Sequence, residues 1–265
     1  MSTASPFPLG APCWADLGST DPDAARAFYS AVLGWVFDEP AAEFGGYSNA
    51  RVGGAAVAGL AGLQPGGPTQ TVWTVYLHAP DAAAQAAAIA AAGGSVLMPS
   101  MQVGPFGHMA IVADPGGAVF GLWQPLSHGG FGLQGAPGGQ CWAEVATRGG
   151  VGVADFYAEV FGMTHSPMPG MEYWMLTPRV EGCEAAFGVL QMTEVWGELP
   201  PHWMIYFATD NIDAAAERVK AAGGVVHHGP FDSSYGRIAV VADCTGGVFS
   251  LIQLAAPPAE PSQAK

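Results

Sequence analysis

The chain is poor in basic residues: 8 lysines and arginines stand against 22 aspartates and glutamates in 265 residues, a formal net charge of −14. That balance repels phosphate backbones and anionic lipid surfaces, so neither nucleic acid nor membrane is an expected partner. No apolar run approaches the length that spans a bilayer, and residues 1–10 carry neither the basic patch nor the apolar stretch of a signal peptide. A cytoplasmic protein is expected. The cysteines Cys13, Cys141, Cys183 and Cys244 include no Cys-x-x-Cys pair, which argues against a structural disulfide. Also missing are a Gly-x-Ser-x-Gly nucleophile turn, a phosphate loop and a Rossmann glycine pattern.

What is present is a duplication. Cys13-Trp14-Ala15-Asp16-Leu17, Phe28-Tyr29 and Leu33-Gly34 return 128 residues later as Cys141-Trp142-Ala143-Glu144-Val145, Phe156-Tyr157 and Phe161-Gly162. Asp114-Pro115-Gly116-Gly117-Ala118-Val119-Phe120 returns as Asp243-Cys244-Thr245-Gly246-Gly247-Val248-Phe249, one residue further out of step. A register held across strand, gap and helix marks an internal repeat. Two domains are expected, 11–126 and 140–255, joined by a Gly-rich linker 127–139 without periodicity. Residues 256–265, proline-rich and without an apolar run, are expected to be a disordered tail.

Each half reads as two β-α-β-β-β units. In the first, a strand at 13–17 precedes a helix capped by Thr20 or Asp21, with Pro22 in its first turn and Gly34 just past its end. Ala25, Phe28, Tyr29, Val32 and Leu33 form one apolar stripe on it, and extended runs follow at 35–38, 47–52 and 55–63. The second unit has a strand at 71–78, a helix at 81–92 stopped by Gly93-Gly94, and strands at 95–98, 108–113 and 119–124. The third has its helix at 151–161 and strands at 173–177 and 185–191. The fourth starts near Trp203, with a helix at 212–222 capped by Asp210 or Asn211 and strands at 225–228, 237–242 and 248–254.

Short first strands, helices ending Phe-Tyr-x-x-x-(Leu/Phe)-Gly and the Asp-Pro-Gly-Gly-x-x-Phe turn resemble the vicinal oxygen chelate superfamily of glyoxalase I, extradiol dioxygenases and bleomycin-resistance proteins. Within it the chain is most similar to tandem two-domain actinobacterial members often labelled hydroxylase or glyoxalase-like. The resemblance covers residues 12–254. It implies an α+β fold in which four βαβββ units form two glyoxalase-like domains with curved, cup-shaped mixed sheets. It also implies a divalent metal held by His or Gln early in first strands and by Glu in last strands. Here those first-strand positions are Trp14, Trp142, Thr74 and Met204, and the Glu positions are Gly121, Ser250, Gly59 and Gly188. Indole, thioether and glycine supply no adequate donor set, so no metal and no cofactor are expected. Of the histidines, His227 and His228 are neighbours on a strand-like run and should face opposite ways, and His78, His108, His128, His165 and His202 lack ligand spacing.

Alternation puts Trp14 with Asp16, and Trp142 with Glu144, on one face; Tyr76, His78, Tyr206 and Trp123 share the face of the lost ligand positions. His108 and Arg237, equivalent in the repeat, are candidates for the opposite charge. The expected ligand-binding set is therefore Trp14, Asp16, Tyr76, His78, His108, Trp123, Trp142, Glu144, Tyr206 and Arg237, with Asp16 and Glu144 as candidate catalytic acids or bases. These aromatic rings could equally be core filler around hydrogen-bonded carboxyls. With the expected ligand positions replaced by Trp, Thr, Met and small residues, the leading expectation is a metal-independent binder of a small, aromatic metabolite, related to sequestration-type resistance proteins or to accessory proteins of secondary metabolism. Two alternatives stand beside it: a cofactor-free isomerase, cyclase or hydrolase using Asp16 or Glu144, and a glyoxalase-like lyase or dioxygenase-like metalloenzyme with a displaced metal site. The halves are expected to pack as an internal pseudo-dimer in a monomer, or in a homodimer, with one dominant ligand in the N-terminal cup.

Overall fold

The computed structural model describes residues 7–255; the expected tail 256–265 lies outside the described residues. Strands β1 (Pro12–Ser19), β2 (Val36–Phe37), β3 (Ser48–Val52) and β4 (Ala55–Gly62) with helix α1 (Pro22–Leu33) make the first unit. The second comprises β5 (Val72–His78), α2 (Ala82–Ala91), β6 (Ser95–Val103), β7 (Gly107–Ala113) and β8 (Val119–Pro125). The third is β9 (Gln140–Thr147), α3 (Gly150–Phe161), β10 (Met163–Pro167), β11 (Tyr173–Pro178) and β12 (Phe187–Gln191). The fourth is β13 (His202–Ala208), α4 (Ile212–Ala221), β14 (Val225–Ser233), β15 (Gly236–Ala242) and β16 (Val248–Leu254).

Consecutive units fuse into one mixed sheet each, ordered β2-β3-β4-β1-β5-β8-β7-β6 and β10-β11-β12-β9-β13-β16-β15-β14. The first strands sit at the centre: β1 runs parallel to β4 and antiparallel to β5, and β9 does the same with β12 and β13. Asp21 caps α1 by accepting from the Ala24 amide, Pro22 opens the helix, and Gly34 closes it at φ 71°. Asn211 caps α4, whereas α3 starts at Gly149 without a side-chain cap. The edge strand β10 has no apolar alternation in Met163–Pro167 and was not expected; it exists because β11 offers it a ladder. Edge strands β6 and β14 likewise run on past their apolar starts, through bulges that blur the period of two. Among the described residues no helix is long and apolar enough to cross a membrane.

Helices cover one face of each sheet, and there the halves meet, α1 on α4 and α2 on α3. Two equivalent buried chains of hydrogen bonds cross this interface. Trp73 Nε1 donates to the Tyr29 hydroxyl at 3.0 Å, which donates to Asp243 at 2.9 Å. Trp203 Nε1 donates to the Tyr157 hydroxyl at 3.2 Å, which donates to Asp114 at 2.9 Å. Burial and the neighbouring carboxylate push both tyrosines well above their ordinary range, so each stays a donor. The second oxygen of each aspartate closes the repeated turn, accepting from Ala118 in one half and from Gly247 and Thr245 in the other. The repeated Phe-Tyr and Asp-x-x-Gly motifs are therefore halves of one interdomain contact, and the two halves pack as a pseudo-symmetric pair.

Tyr29→Phe removes a donor from a buried carboxylate without opening a large cavity, and should lower stability by about 1–3 kcal/mol. Tyr157→Phe should match it, while Tyr235→Phe, at an exposed side chain, should stay within about 0.5 kcal/mol. Denaturant unfolding of the three variants checks this; equal effects at all three positions would contradict it.

Candidate functional site

The faces of the sheets turned away from the helices form the two cups. In the second cup both oxygens of Glu144 are engaged: the Tyr206 hydroxyl donates to Oε1 at 2.7 Å and the Tyr173 hydroxyl to Oε2 at 2.9 Å. Trp142 Nε1 donates in turn to the Tyr173 oxygen at 2.8 Å. The first cup repeats this with Trp14 Nε1 donating to Tyr47 at 2.8 Å and Tyr76 donating to Asp16 at 3.4 Å, Tyr47 being the second partner of Asp16. Trp14, Asp16, Tyr76, Trp142, Glu144 and Tyr206 are thus brought together as expected from alternation. Tyr47 and Tyr173 were missed because they stand 126 residues apart, out of register with the 128-residue repeat.

Glycines opposite the acids were the signal that could have found them. Asp16 pairs with Gly59 across β1 and β4, and Glu144 with Gly188 across β9 and β12. A Cβ at Gly59 would collide with the Tyr47 hydroxyl, at Gly188 with that of Tyr173, and at Gly121 with the Tyr76 ring. At three of the four positions where the resemblance places metal-binding glutamates, Gly59, Gly121 and Gly188, the backbone is bare and a tyrosine fills the space, and the fourth is Ser250. With Trp14, Trp142, Thr74 and Met204 at the remaining positions, these residues do not fit a divalent metal. Among the described residues no three His, Cys, Asp or Glu side chains are grouped as a metal ion requires.

Burial pushes Asp16 up to about 7, against the pull of its hydrogen bonds from Tyr76 and Tyr47. Glu144 is also raised by burial, opposed by Tyr206 and Tyr173. Both acids hold a proton at higher pH than an exposed carboxyl does.

The facing expected for His108 and Arg237 is corrected. On β7 His108 shares parity with the fully buried Ala110 and Val112, and on β15 Arg237 shares it with Ala239 and Val241, which face the helices; Met109, Ile111, Ile238 and Val240 face the cups. Their register partners Gln124 and Gln253 confirm the side, accepting from the first amides of α2 and α4. Arg237 pairs with Asp213 on α4 and with Asp232. His78 lies at the end of β5 with its ring bonded to the Pro8 carbonyl, and burial lowers its proton affinity. The expected opposition of His227 and His228 also fails. A register shift between Val226 and His228 lets both border the same cavity.

That cavity, about 560 Å³, opens in the second cup, with Glu144, Tyr206 and Met204 on the sheet side. Its outer wall is a single helical turn, Glu194–Trp196, together with Leu199 and His202. The first cup, expected to hold the dominant ligand, has its tryptophan covered. Residues 126–131 of the linker fold back so that the His128 ring meets Trp14 edge-on at 4.3 Å and Phe131 lies 5.4 Å from it, leaving Trp14 2% exposed. Trp123 Nε1 bonds the His128 carbonyl at 2.9 Å. A separate cleft of about 340 Å³ between the halves is lined largely by backbone and small side chains, and its Arg218 is tied to the Val32 carbonyl.

Paired curved sheets of two βαβββ units each, with one acid in each cup, define a tandem glyoxalase-like protein. The Glyoxalase-like domain family matches residues 14–123 and again 143–252, and the chain belongs to that family. CFP32 of Mycobacterium tuberculosis, named as a candidate glyoxylase, is 37% identical over 96% of this chain and 98% of its own. The anthracycline biosynthesis protein DnrV of Streptomyces peucetius is 34% identical over 94% of both chains. Among solved structures, the Mn(II)-bound glyoxalase from Novosphingobium aromaticivorans superposes with a TM-score of 0.65 at 18% identity, covering 97% of this chain and 87% of its own. The 2,3-dioxygenase LapB from Pseudomonas sp. KL28 does so at 0.61 and 16% identity, covering 96% of both. At such identities the likeness is one of fold.

An Asp16 that keeps its proton to about pH 7 when folded, but releases it near 3.8 when unfolded, makes the folded state bind more protons between those values. Stability contributed at this site is therefore lost as pH rises from about 4 to 7 and is level above. Asp16→Asn should gain melting temperature relative to the parent as pH increases through that window. A difference between the two proteins that does not vary with pH would contradict the assignment.

Proposed function

We propose that the protein binds a small, planar, aromatic metabolite in the second cup without the help of a metal ion, as an accessory or sequestering protein of secondary metabolism. The observation that carries this is the cavity of about 560 Å³, apolar over most of its wall and furnished with one acid. A volume in that range suits a small molecule, and the polar cluster at its base, with His202, His227 and His228 also bordering the space, orients one. Glu144 spends both oxygens on tyrosine hydroxyls, which favours a neutral ligand over a cation that would compete for them. Relatives named as anthracycline biosynthesis proteins support a polycyclic ligand class.

The raised proton affinity of Glu144 favours a second reading, a cofactor-free isomerase, cyclase or hydrolase in which Glu144, with Asp16 as its first-cup counterpart, works as acid or base. Product analysis with Asp16→Asn and Glu144→Gln separates the two: turnover that survives both changes would remove these residues from the chemistry.

Binding is tested by titrating 1,4-dihydroxyanthraquinone while following tryptophan fluorescence, with Trp196, which lines the cavity, and Trp142, whose register partner Tyr206 lines it, as the reporters. Saturable quenching is expected, weakened about tenfold in Glu144→Gln, the equivalent of one hydrogen-bonded contact. No response from the parent protein would count against a ligand of this class.

A further inference from the structure

The two cups share one scaffold but differ in what lies on the tryptophan. Trp14 carries two rings supplied by the chain itself, His128 edge-on and Phe131 tilted, and Trp123 closes on His128 at 5.6 Å. Backbone hydrogen bonds pin this segment down: Phe131 N to the Cys13 carbonyl at 2.8 Å, Gly132 N to Ala56 at 2.7 Å and His128 N to Phe106 at 3.1 Å. In the second cup Ile252 stands where Trp123 stands in the first, and among the described residues no aromatic ring packs on Trp142. Trp142 remains partly exposed beside Met204, Tyr206 and Ile252.

We infer that the position on Trp14 occupied by the His128 ring marks, in the second cup, a subsite on Trp142 for an aromatic ring of the ligand. This rests on the second cup being the binding site and adds its length and chemistry. Trp142 and Glu144 are two residues apart on one strand face, about 7 Å, and are joined through Tyr173. A ligand that touches both has two or more fused rings, with a polar edge toward Glu144 and a ring against the indole. The built-in occupant also defines the charge. Burial, with Arg51 adding to it, lowers His128 to about 4, so the ring that fits this place at neutral pH is uncharged. The subsite accepts a neutral planar ring, carbocyclic or heteroaromatic, and the first cup is closed to the same ligand by its own linker.

Calorimetry with two probes tests this, hydroquinone as a single ring and 1,4-dihydroxyanthraquinone as three fused rings. Trp142→Leu is expected to weaken the three-ring probe at least about tenfold, roughly the worth of one aromatic pair, edge-on or offset, and the single-ring probe less than about twofold. In His128→Ala, which vacates the position on Trp14, the three-ring probe is expected to bind at two sites per chain instead of one. Binding that is unchanged by Trp142→Leu, or weakened equally for both probes, would show that something other than the ligand ring occupies Trp142 and would overturn the subsite while leaving the cavity as the site. A stoichiometry unchanged in His128→Ala would overturn the equivalence of the two positions. If neither probe binds the parent protein, occupation of the second cup fails and the subsite with it.

Discussion

A carboxyl group withdrawn from water needs donors, and in this protein tyrosine hydroxyls are those donors. Six of the seven tyrosines bond an acid: Tyr47 and Tyr76 hold Asp16, Tyr173 and Tyr206 hold Glu144, Tyr29 holds Asp243 and Tyr157 holds Asp114. Four of the tyrosines are aimed by an indole N–H, from Trp14, Trp73, Trp142 and Trp203. A chain with only 8 basic residues cannot pair its interior acids with cations, and its pairs of Arg with Asp lie at the surface. Neutral donors do not cancel the desolvation of the acid, which is why Asp16 and Glu144 keep raised proton affinities. The same device that joins the halves at the helix interface builds the base of each cup.

That device accounts for the residues found where the resemblance expects metal ligands. The positions that would carry glutamate are glycine at three of four places, and the tyrosines that fill the vacated space belong to neighbouring strands. Restoring a glutamate there would require removing a tyrosine, so the two arrangements exclude each other sterically. The cups then diverge through what covers them: a linker that folds back in the first, and a short helical turn standing off from the sheet in the second.

Much of this was legible in the sequence, for definable reasons. The repeat, the four helices with their glycine stops and the faces of β1 and β9 followed from spacing and alternation, because central strands have one buried side that fixes parity. Trp14, Asp16, Trp142 and Glu144 were placed on that logic. His108 and Arg237 were misplaced because residues 109–113 and 238–242 are apolar at every position, so alternation along β7 and β15 does not say which face is the cup. His227 and His228 defied alternation through a bulge that composition does not announce. Tyr47 and Tyr173 were invisible because their strands follow loops of unequal length, and a tyrosine's reach to an acid on the next strand but one is a property of the sheet. The covering of Trp14 by residues 126–131 was equally hidden, since a Gly-rich stretch reads as a spacer whether or not it packs.

The central claim is that tyrosine-held carboxyls replace the metal in both cups. Elemental analysis of the full chain, purified without chelator and then dialysed against equimolar Mn, Fe, Ni and Zn, addresses it most directly. The account predicts metal well below one ion per chain, with no change in the melting temperature on adding the ions. One ion of any of these metals per cup, bound tightly enough to survive gel filtration and lost on Asp16→Asn or Glu144→Gln, would contradict it.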